Sequence, residues 1–312
     1  MTFLYIIVII LASCVLIKAT HWIIKSLIYF AQSMKISEFV IAFILAGIAT
    51  SLPELFVGIS SALNNTPILS LSNIIGSNIA NITLILGITI ILLRGLEIKT
   101  KTIQRNISYT ALLMIYSLLL CLDGVLSRLD GIALLVSFTL YNLILIHQSQ
   151  DQSKVIVKAK KGELTKNILL FIISVILLSL SAQVIVETAN KLATILNIPL
   201  FMVGLFMVAV GTSLPELIFG IRVARQKHKD MILGGILGSV AINSTAVLGI
   251  TAIISPIVIE NSALFFSSII ALLVAYLLFG IFSYSRKKIS WQEAIILLLF
   301  YITFTIIQFL LK

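Results

Sequence analysis

Residues 50–55 read Thr50-Ser51-Leu52-Pro53-Glu54-Leu55, and the same six letters return as Thr212-Ser213-Leu214-Pro215-Glu216-Leu217. The repetition runs on at the same offset of 162 with no gap. Gly58, Ile59 and Ala62 match Gly220, Ile221 and Ala224. Gly76, Ser77, Asn81, Thr83, Leu86, Gly87, Ile88 and Thr89 match Gly238, Ser239, Asn243, Thr245, Leu248, Gly249, Ile250 and Thr251. The background is rich in Leu and Ile, yet the matching letters are mostly the scarce polar ones. Chance does not produce that, so the chain contains one unit twice.

Composition fixes the solvent around that unit. Hydrophobic residues make up 60% of the 312 and charged residues only 11%, where a soluble domain carries about a quarter charged. So much apolar surface requires a bilayer. A spanning helix needs about 20 mostly apolar residues. Ten segments qualify, near 3–33, 38–63, 67–93, 105–122, 130–147, 166–195, 199–224, 230–255, 262–283 and 290–311. The first is too long for a signal-peptide core and reads as a retained helix. The second, third, seventh and eighth are rich in Gly, Ser, Asn and Thr. Their polar groups need partners inside lipid, so they belong within the bundle.

The basic residues orient these spans. With the N-terminus outside, the inner loops hold 17 of the 22 Lys and Arg residues, and the outer side holds only Arg128, Lys191 and Lys312. That asymmetry places both termini outside and the charged joining stretch 148–165 in the cytoplasm. The net charge of +10 is thus accounted for by topology, and nucleic acid is set aside as a partner. Residues 1–147 and 166–312 then hold five spans each. Five is odd, so the second half crosses the membrane in the opposite sense. The fold class expected is all-α integral membrane, with ten transmembrane helices in two inverted five-helix repeats. Inverted repeats with interrupted helices are a secondary-transporter pattern, with binding near the midplane where the repeats meet.

The repeated motif carries the chemistry. Pro53 has no N–H and crowds the preceding turn, so the helix breaks there. Carbonyls around Gly47, Ala49 and Thr50 are expected to lose their helical partners, as are those around Ala209, Gly211 and Thr212. A carboxylate, Glu54 or Glu216, stands beside each break, midway along its span. Such residues are expensive in a membrane and mark ion pathways. Two carboxylates supply the charge that Ca2+ requires, and Ca2+ takes about six to eight oxygens. Candidate donors are the hydroxyls of Thr50, Ser51, Thr212 and Ser213, together with Ser77, Asn81, Ser239 and Asn243 on spans three and eight. Ser77 and Asn81 are four apart and share a helix face. All are hard oxygen donors, which disfavours zinc or copper.

Plainer readings exist for each of these. Ser51-x-x-Glu54 has the form of a capping box, although a cap alone does not account for two mid-membrane charges. Ser77 and Asn81 could be interhelical packing glue. Gly76, Gly87, Gly238 and Gly249 read as close-packing positions rather than ligands. Lys18, His21 and Lys25 share one face of the first span, with Glu187 at the position equivalent to Lys25. A salt bridge or snorkelling explains them more cheaply than transport. Cys14 and Cys121 lie in apolar runs without disulfide or zinc spacing.

Paired Thr-Ser-Leu-Pro-Glu motifs, each followed by Gly-Ser-x-x-x-Asn (Gly76 to Asn81, Gly238 to Asn243), resemble the alpha repeats of the cation/calcium exchanger superfamily, and more narrowly the compact prokaryotic sodium/calcium exchangers. The resemblance extends over the chain, including Asp-Gly turns at Asp123 and Asp130 and a Trp291-Gln292 start to the last span. It implies that Glu54 and Glu216 coordinate both calcium and sodium, with the backbone oxygens of Thr50 and Thr212. It further implies sodium sites from Thr50, Ser51, Ser77, Thr212, Ser213 and Ser239 with carbonyls near Gly47 and Ala209, and spans one and six sliding past the rest. The chain departs from the common pattern at Ala49, at Val240 where Asn is usual, at Asn243 where many members have Asp, and at His21 and Gln183.

The reading is a secondary antiporter moving calcium against sodium, not an enzyme, with no cofactor and no obligatory protein partner. A calcium/proton exchanger on the same fold is the first alternative; those relatives carry Gly-Asn-x-x-Glu at the motif. A passive cation channel is the second, and a scaffold without transport the third. The scaffold leaves the duplicated carboxylates unexplained.

Overall fold

A computed structural model describes residues 2–33, 46–98, 101–149, 164–225, 229–260, 262–285 and 287–311. Most of the expected cytoplasmic stretch, residues 150–163, lies outside the described residues, as do 34–45 at the start of the expected second span.

Long helices account for nearly everything that is described. The first half comprises α1 (Thr2–Ser33), α2 (Ala46–Thr50), α3 (Leu52–Leu63), α4 (Ile68–Ala80), α5 (Leu86–Leu93), α6 (Lys101–Leu119) and α7 (Arg128–Ser149). The second comprises α8 (Leu164–Leu196), α9 (Leu200–Met202), α10 (Ala209–Thr212), α11 (Leu214–Arg225), α12 (Lys229–Ile242), α13 (Leu248–Ile254), α14 (Ser262–Ser285) and α15 (Trp291–Leu310). Eight continuous helical stretches among the described residues are long and apolar enough to cross a membrane. The region expected as the second span is described only from residue 46, and the more polar α6 is not among the eight.

Burial sorts the spans as their composition foretells. The windows over 68–93 and 232–254 are each 83% buried and that over 200–221 is 67% buried, whereas the window over α15 is 22% buried. The polar, glycine-bearing spans form the interior, and their small residues let backbones approach. A Cβ on Gly76 would strike the Leu205 carbonyl, and one on Gly249 would sit 2.8 Å from the Gly131 carbonyl. The outer helices turn Leu4, Leu129, Leu169, Leu277 and Leu310 outward, each more than half exposed, as lipid-facing surfaces do. Lys18, His21 and Lys25 are exposed on this outer side, and the Lys18 ammonium lies 5.9 Å from the Trp22 ring.

Two short ribbons tie the halves together. β1 (Leu96–Glu97) pairs antiparallel with β4 (Lys288–Ile289), and β2 (Val125–Leu126) with β3 (Ile257–Val258). Gly124 turns the chain into β2 with a φ of +89, a conformation suited to glycine. Asp130 is not a turn residue as expected. It lies in the first turn of α7, where its carboxylate accepts from the Ser127 amide at 2.8 Å and closes a helix start.

The interior spans also contain wide π-type turns, which the apolar pattern did not reveal. They cover Asn81–Ile85 and Asn243–Val247, at equivalent positions of the two halves, and Val203–Val208. Such turns often accompany functional sites in helices. Two of these begin at the asparagines of the repeated segment.

Candidate functional site

The site is built on the two helix breaks. α2 stops at Thr50 and α3 starts at Leu52; α10 stops at Thr212 and α11 starts at Leu214. The intervening serines adopt matching backbone angles, φ −84 and ψ 0 at Ser51, φ −85 and ψ 1 at Ser213. Pro53 and Pro215 withhold the N–H that the Ala49 and Gly211 carbonyls would have received. The expected loss at Gly47 and Ala209 does not occur. The Ser51 amide reaches the Gly47 carbonyl at 3.2 Å, and the Ser213 amide reaches Ala209 at 3.0 Å. A carbonyl has two lone pairs, so each retains an acceptor position beside that bond.

Glu54 is fully buried and Glu216 is 3% exposed. One oxygen of each is held by its own half. Ser77 donates to Glu54 Oε1 at 3.3 Å and Ser239 donates to Glu216 Oε1 at 2.9 Å. The second oxygen, Oε2, has no hydrogen-bond partner among the described residues in either case. Ser51 forms no side-chain cap, so Ser51-x-x-Glu54 does not act as a capping box. That arrangement does occur at Ser290 and Glu293, where α15 starts.

The hydroxyls cross between halves. Thr50 Oγ1 is 2.9 Å from Ser239 Oγ, and Ser51 Oγ donates to the same atom at 3.2 Å. On the other side, Thr212 Oγ1 is 3.4 Å from Ser77 Oγ, and Ser77 also donates to the Ala209 carbonyl at 3.5 Å. These contacts follow from packing: α4 lies against α10, and α12 lies against α2. Gly47 permits the second approach, since a Cβ there would stand 3.3 Å from Gly238 Cα. Among the described residues, Ser213 Oγ is buried without a partner, as are both amide atoms of Asn81 and the Oδ1 of Asn243. Thr50, Ser51, the Gly47 carbonyl and Ser239 thus gather with Glu216, and Ser77, Thr212 and the Ala209 carbonyl with Glu54, in a buried, oxygen-rich cluster. Asn81 and Asn243 stand one helical turn beyond Ser77 and Ser239, and among the described residues neither hydrogen-bonds a carboxylate.

Residues 4–147 and 166–310 match the family model described as sodium/calcium exchanger protein, which takes in both halves and omits the joining stretch. The chain belongs to that family. Exchangers of this family are transporters rather than enzymes. An uncharacterized membrane protein of Methanocaldococcus jannaschii is 29% identical over 283 residues, 91% of each chain. A sodium/calcium exchanger of Methanosarcina acetivorans is 25% identical across 94% of this chain and 95% of its own. The solved structure of the sodium-calcium exchanger NCX_Mj soaked with Na+ and Sr2+ is similar at a TM-score of 0.69 and 29% identity, covering 97% of this chain and 98% of that one.

Three further residues around this exchanger's cluster escaped the repeat pattern. Asn73 Oδ1 accepts from the Thr212 hydroxyl at 3.1 Å. Its equivalent in the second half is Gly235, so the search for matching letters passed over it. Its spacing of four from Ser77 was the available signal. Asn78 donates to Ser244 Oγ at 2.9 Å and accepts from Asn243 Nδ2 at 3.4 Å. That pair stands where the repeat breaks down, Asn78 facing Val240 in register and Ser244 facing Ile82. Gln183, a departure from the family pattern, joins a separate network between α3 and α8, accepting from Ser60 at 2.6 Å and Asn64 at 3.0 Å and donating to Glu187 at 2.7 Å.

Proposed function

We propose that this protein is a secondary antiporter that exchanges calcium for sodium through the cluster around Glu54 and Glu216. The observation that carries the reading is the pair of buried carboxylates, each with one oxygen anchored by a serine and the other unpartnered. An unpaired buried carboxylate oxygen is costly in a low-dielectric interior, and a cation between the two relieves both. Glu54 and Glu216 would neutralise Ca2+, with the Thr50 and Thr212 backbone oxygens beside them. Sodium would be held by the same carboxylates with Thr50, Ser51, Ser77, Thr212, Ser213 and Ser239 and the Gly47 and Ala209 carbonyls. Asn81 and Asn243 offer neutral amide oxygens at the edge of the cluster. The soaking of the similar exchanger with Na+ and Sr2+ supports reading this cluster as one that takes both a monovalent and an alkaline-earth ion.

The topology that serves this function is ten spans in two inverted halves, 1–147 and 166–312, with both termini outside and 148–165 cytoplasmic. Matched helix breaks and π turns at an offset of 162 support the twofold arrangement. Calcium/proton exchange is the competing reading, and Thr-Ser-Leu-Pro-Glu in place of Gly-Asn-x-x-Glu counts against it. Radiolabelled calcium uptake into proteoliposomes loaded with sodium, potassium or acid decides between them. Uptake above the passive level only with internal sodium is the expected result. Uptake driven by internal acid, or equal in all three, would overturn it.

A further inference from the structure

The two ends of the cluster are not chemically equal, and the difference lies in Asn73. This side chain is fully buried. Its Oδ1 accepts from Thr212 Oγ1 at 3.1 Å, and its Nδ2 has no partner among the described residues. Asn73, Ser77 and Asn81 are spaced four apart on α4 and its continuation, so they share a face. In the other half Gly235 stands at the equivalent position. The Phe219 ring closes that space, since a Cβ on Gly235 would meet Phe219 Cε1 at 2.8 Å. The Thr50 hydroxyl meets Ser239 Oγ at 2.9 Å and the Gly47 carbonyl at 3.4 Å.

We propose that Asn73 is a positioning residue that sets the Thr212 hydroxyl and the Ala209 carbonyl to face a sodium ion. The proposal rests on the exchanger reading of this cluster. A threonine hydroxyl has one proton. Three acceptors compete for that of Thr212: Asn73 Oδ1 at 3.1 Å, the Ala209 carbonyl at 3.3 Å and Ser77 Oγ at 3.4 Å. A cation binds lone pairs and is repelled by protons. When Asn73 takes the proton, the Thr212 lone pairs turn toward Ser77 and Glu54, and the Ala209 carbonyl is relieved of one donor. Without Asn73 the proton falls to Ala209, Ser77 or Glu54, and the hydroxyl no longer presents its lone pairs cleanly to a sodium ion. Calcium is held mainly through the two carboxylates, so it depends less on this arrangement.

The test is Asn73→Leu, which keeps the volume and removes the polar atoms, with Asn73→Ser as the second variant should the first not fold. Each is purified and reconstituted, and calcium uptake is followed as internal sodium and external calcium are varied. The half-saturating sodium concentration should rise about three- to tenfold, the weight of one net hydrogen bond, while that for calcium stays unchanged. In a double-mutant cycle with Thr212→Val, Asn73→Leu should add nothing, because the hydroxyl it positions is already gone. An equal shift for both ions, or an effect that adds in full to that of Thr212→Val, would mean packing alone and overturn the proposal. Normal sodium-driven uptake by the native protein with unaltered sodium dependence in the variants overturns this inference only. A native protein without sodium-driven uptake overturns the parent reading and this one with it.

Discussion

The Ser239 hydroxyl lies 2.9 Å from Thr50 Oγ1 across 189 positions of chain, while it donates to Glu216 at the same distance. Its equivalent, Ser77, makes looser contacts of 3.4 Å to Thr212 and 3.3 Å to Glu54. One serine in each half thereby joins a carboxylate of its own half to a hydroxyl of the other. Ser51 is the third contact of Ser239, at 3.2 Å, and the Ala209 carbonyl is the third of Ser77, at 3.5 Å, so the two serines make equal numbers of contacts and those of Ser239 are the shorter.

Ser239→Ala should therefore harm the protein more than Ser77→Ala. A buried hydrogen bond contributes a net ~1 kcal/mol. Ser239→Ala removes the hydroxyl that Thr50, Ser51 and Glu216 share, and a loss of about 2–3 kcal/mol in stability is expected, with Ser77→Ala nearer half of that. Thermal unfolding of the two variants in detergent checks the order. Equal midpoints would show that the shorter contacts carry no extra weight.

Glu54→Gln and Glu216→Gln should each reduce calcium uptake to less than about a tenth of the native rate, because a unit of missing charge counts heavily in a low-dielectric site. Neither variant should unfold, since Gln keeps an oxygen for Ser77 or Ser239 to donate to. Uptake in proteoliposomes, alongside size-exclusion profiles, measures both parts. Native rates in both well-folded variants would remove the carboxylates from the ion pathway.

The repeat was legible because it is written in scarce polar letters: Thr50, Ser51, Glu54, Ser77 and their equivalents were all found from spacing alone. Pro53 and Pro215 announced the breaks through a missing N–H. Which carbonyls stay bonded was not legible, since Ser51 and Ser213 hold the geometry that lets their amides reach Gly47 and Ala209. The π turns were invisible because widening a helix by one residue leaves an apolar run apolar. Asn73 was missed for a different reason. A symmetry search finds what the halves share, and Asn73 matters where they differ.

Gly76→Ala should destabilise the bundle while Gly280→Ala leaves it nearly unchanged. A Cβ at Gly76 would collide with the Leu205 backbone carbonyl and lie 2.7 Å from Ala209 Cβ, whereas nothing lies within 4 Å of one at Gly280. Overpacking of this kind costs about 1–3 kcal/mol. Comparing thermal midpoints in one detergent decides it; a Gly280 variant as unstable as the Gly76 variant would show that the close approach of α4 to the Leu205 turn is not what matters.

Asn243→Asp should give transport a new dependence on pH. Asn243 Nδ2 now donates to Asn78 Oδ1 at 3.4 Å, leaving Oδ1 unpartnered. An aspartate loses that donor and sets two acceptors against each other until Asn78 turns over. It also adds a third acid near two buried ones, and like charges in a dry site repel until one takes a proton. Sodium-driven uptake measured from acid to alkaline pH should change profile relative to the native protein. Identical profiles would place Asn243 away from the ions.

Exchange should move net charge across the membrane. Two carboxylates, Glu54 and Glu216, lie in the cluster, and Asn243 adds none. On the exchanger reading, calcium would therefore cross as a nearly neutral complex. If three sodium ions occupy the surrounding oxygens on the return stroke, that complex carries one extra positive charge. Moving it through the full membrane potential is worth about 2.3 kcal/mol per 100 mV, enough to change the rate severalfold. The Thr212 end, with Asn73 freeing the Ala209 carbonyl, and the Thr50 end, with Ser51 and Ser239, provide separate neutral oxygen sets on either side of the carboxylates. On this reading, that separation would let more than two sodium ions load. In sodium-loaded proteoliposomes clamped with potassium and valinomycin, calcium uptake should accelerate when the interior is made positive. Uptake indifferent to the imposed potential would mean that only two sodium ions return per calcium, and that one of the two oxygen sets stays empty.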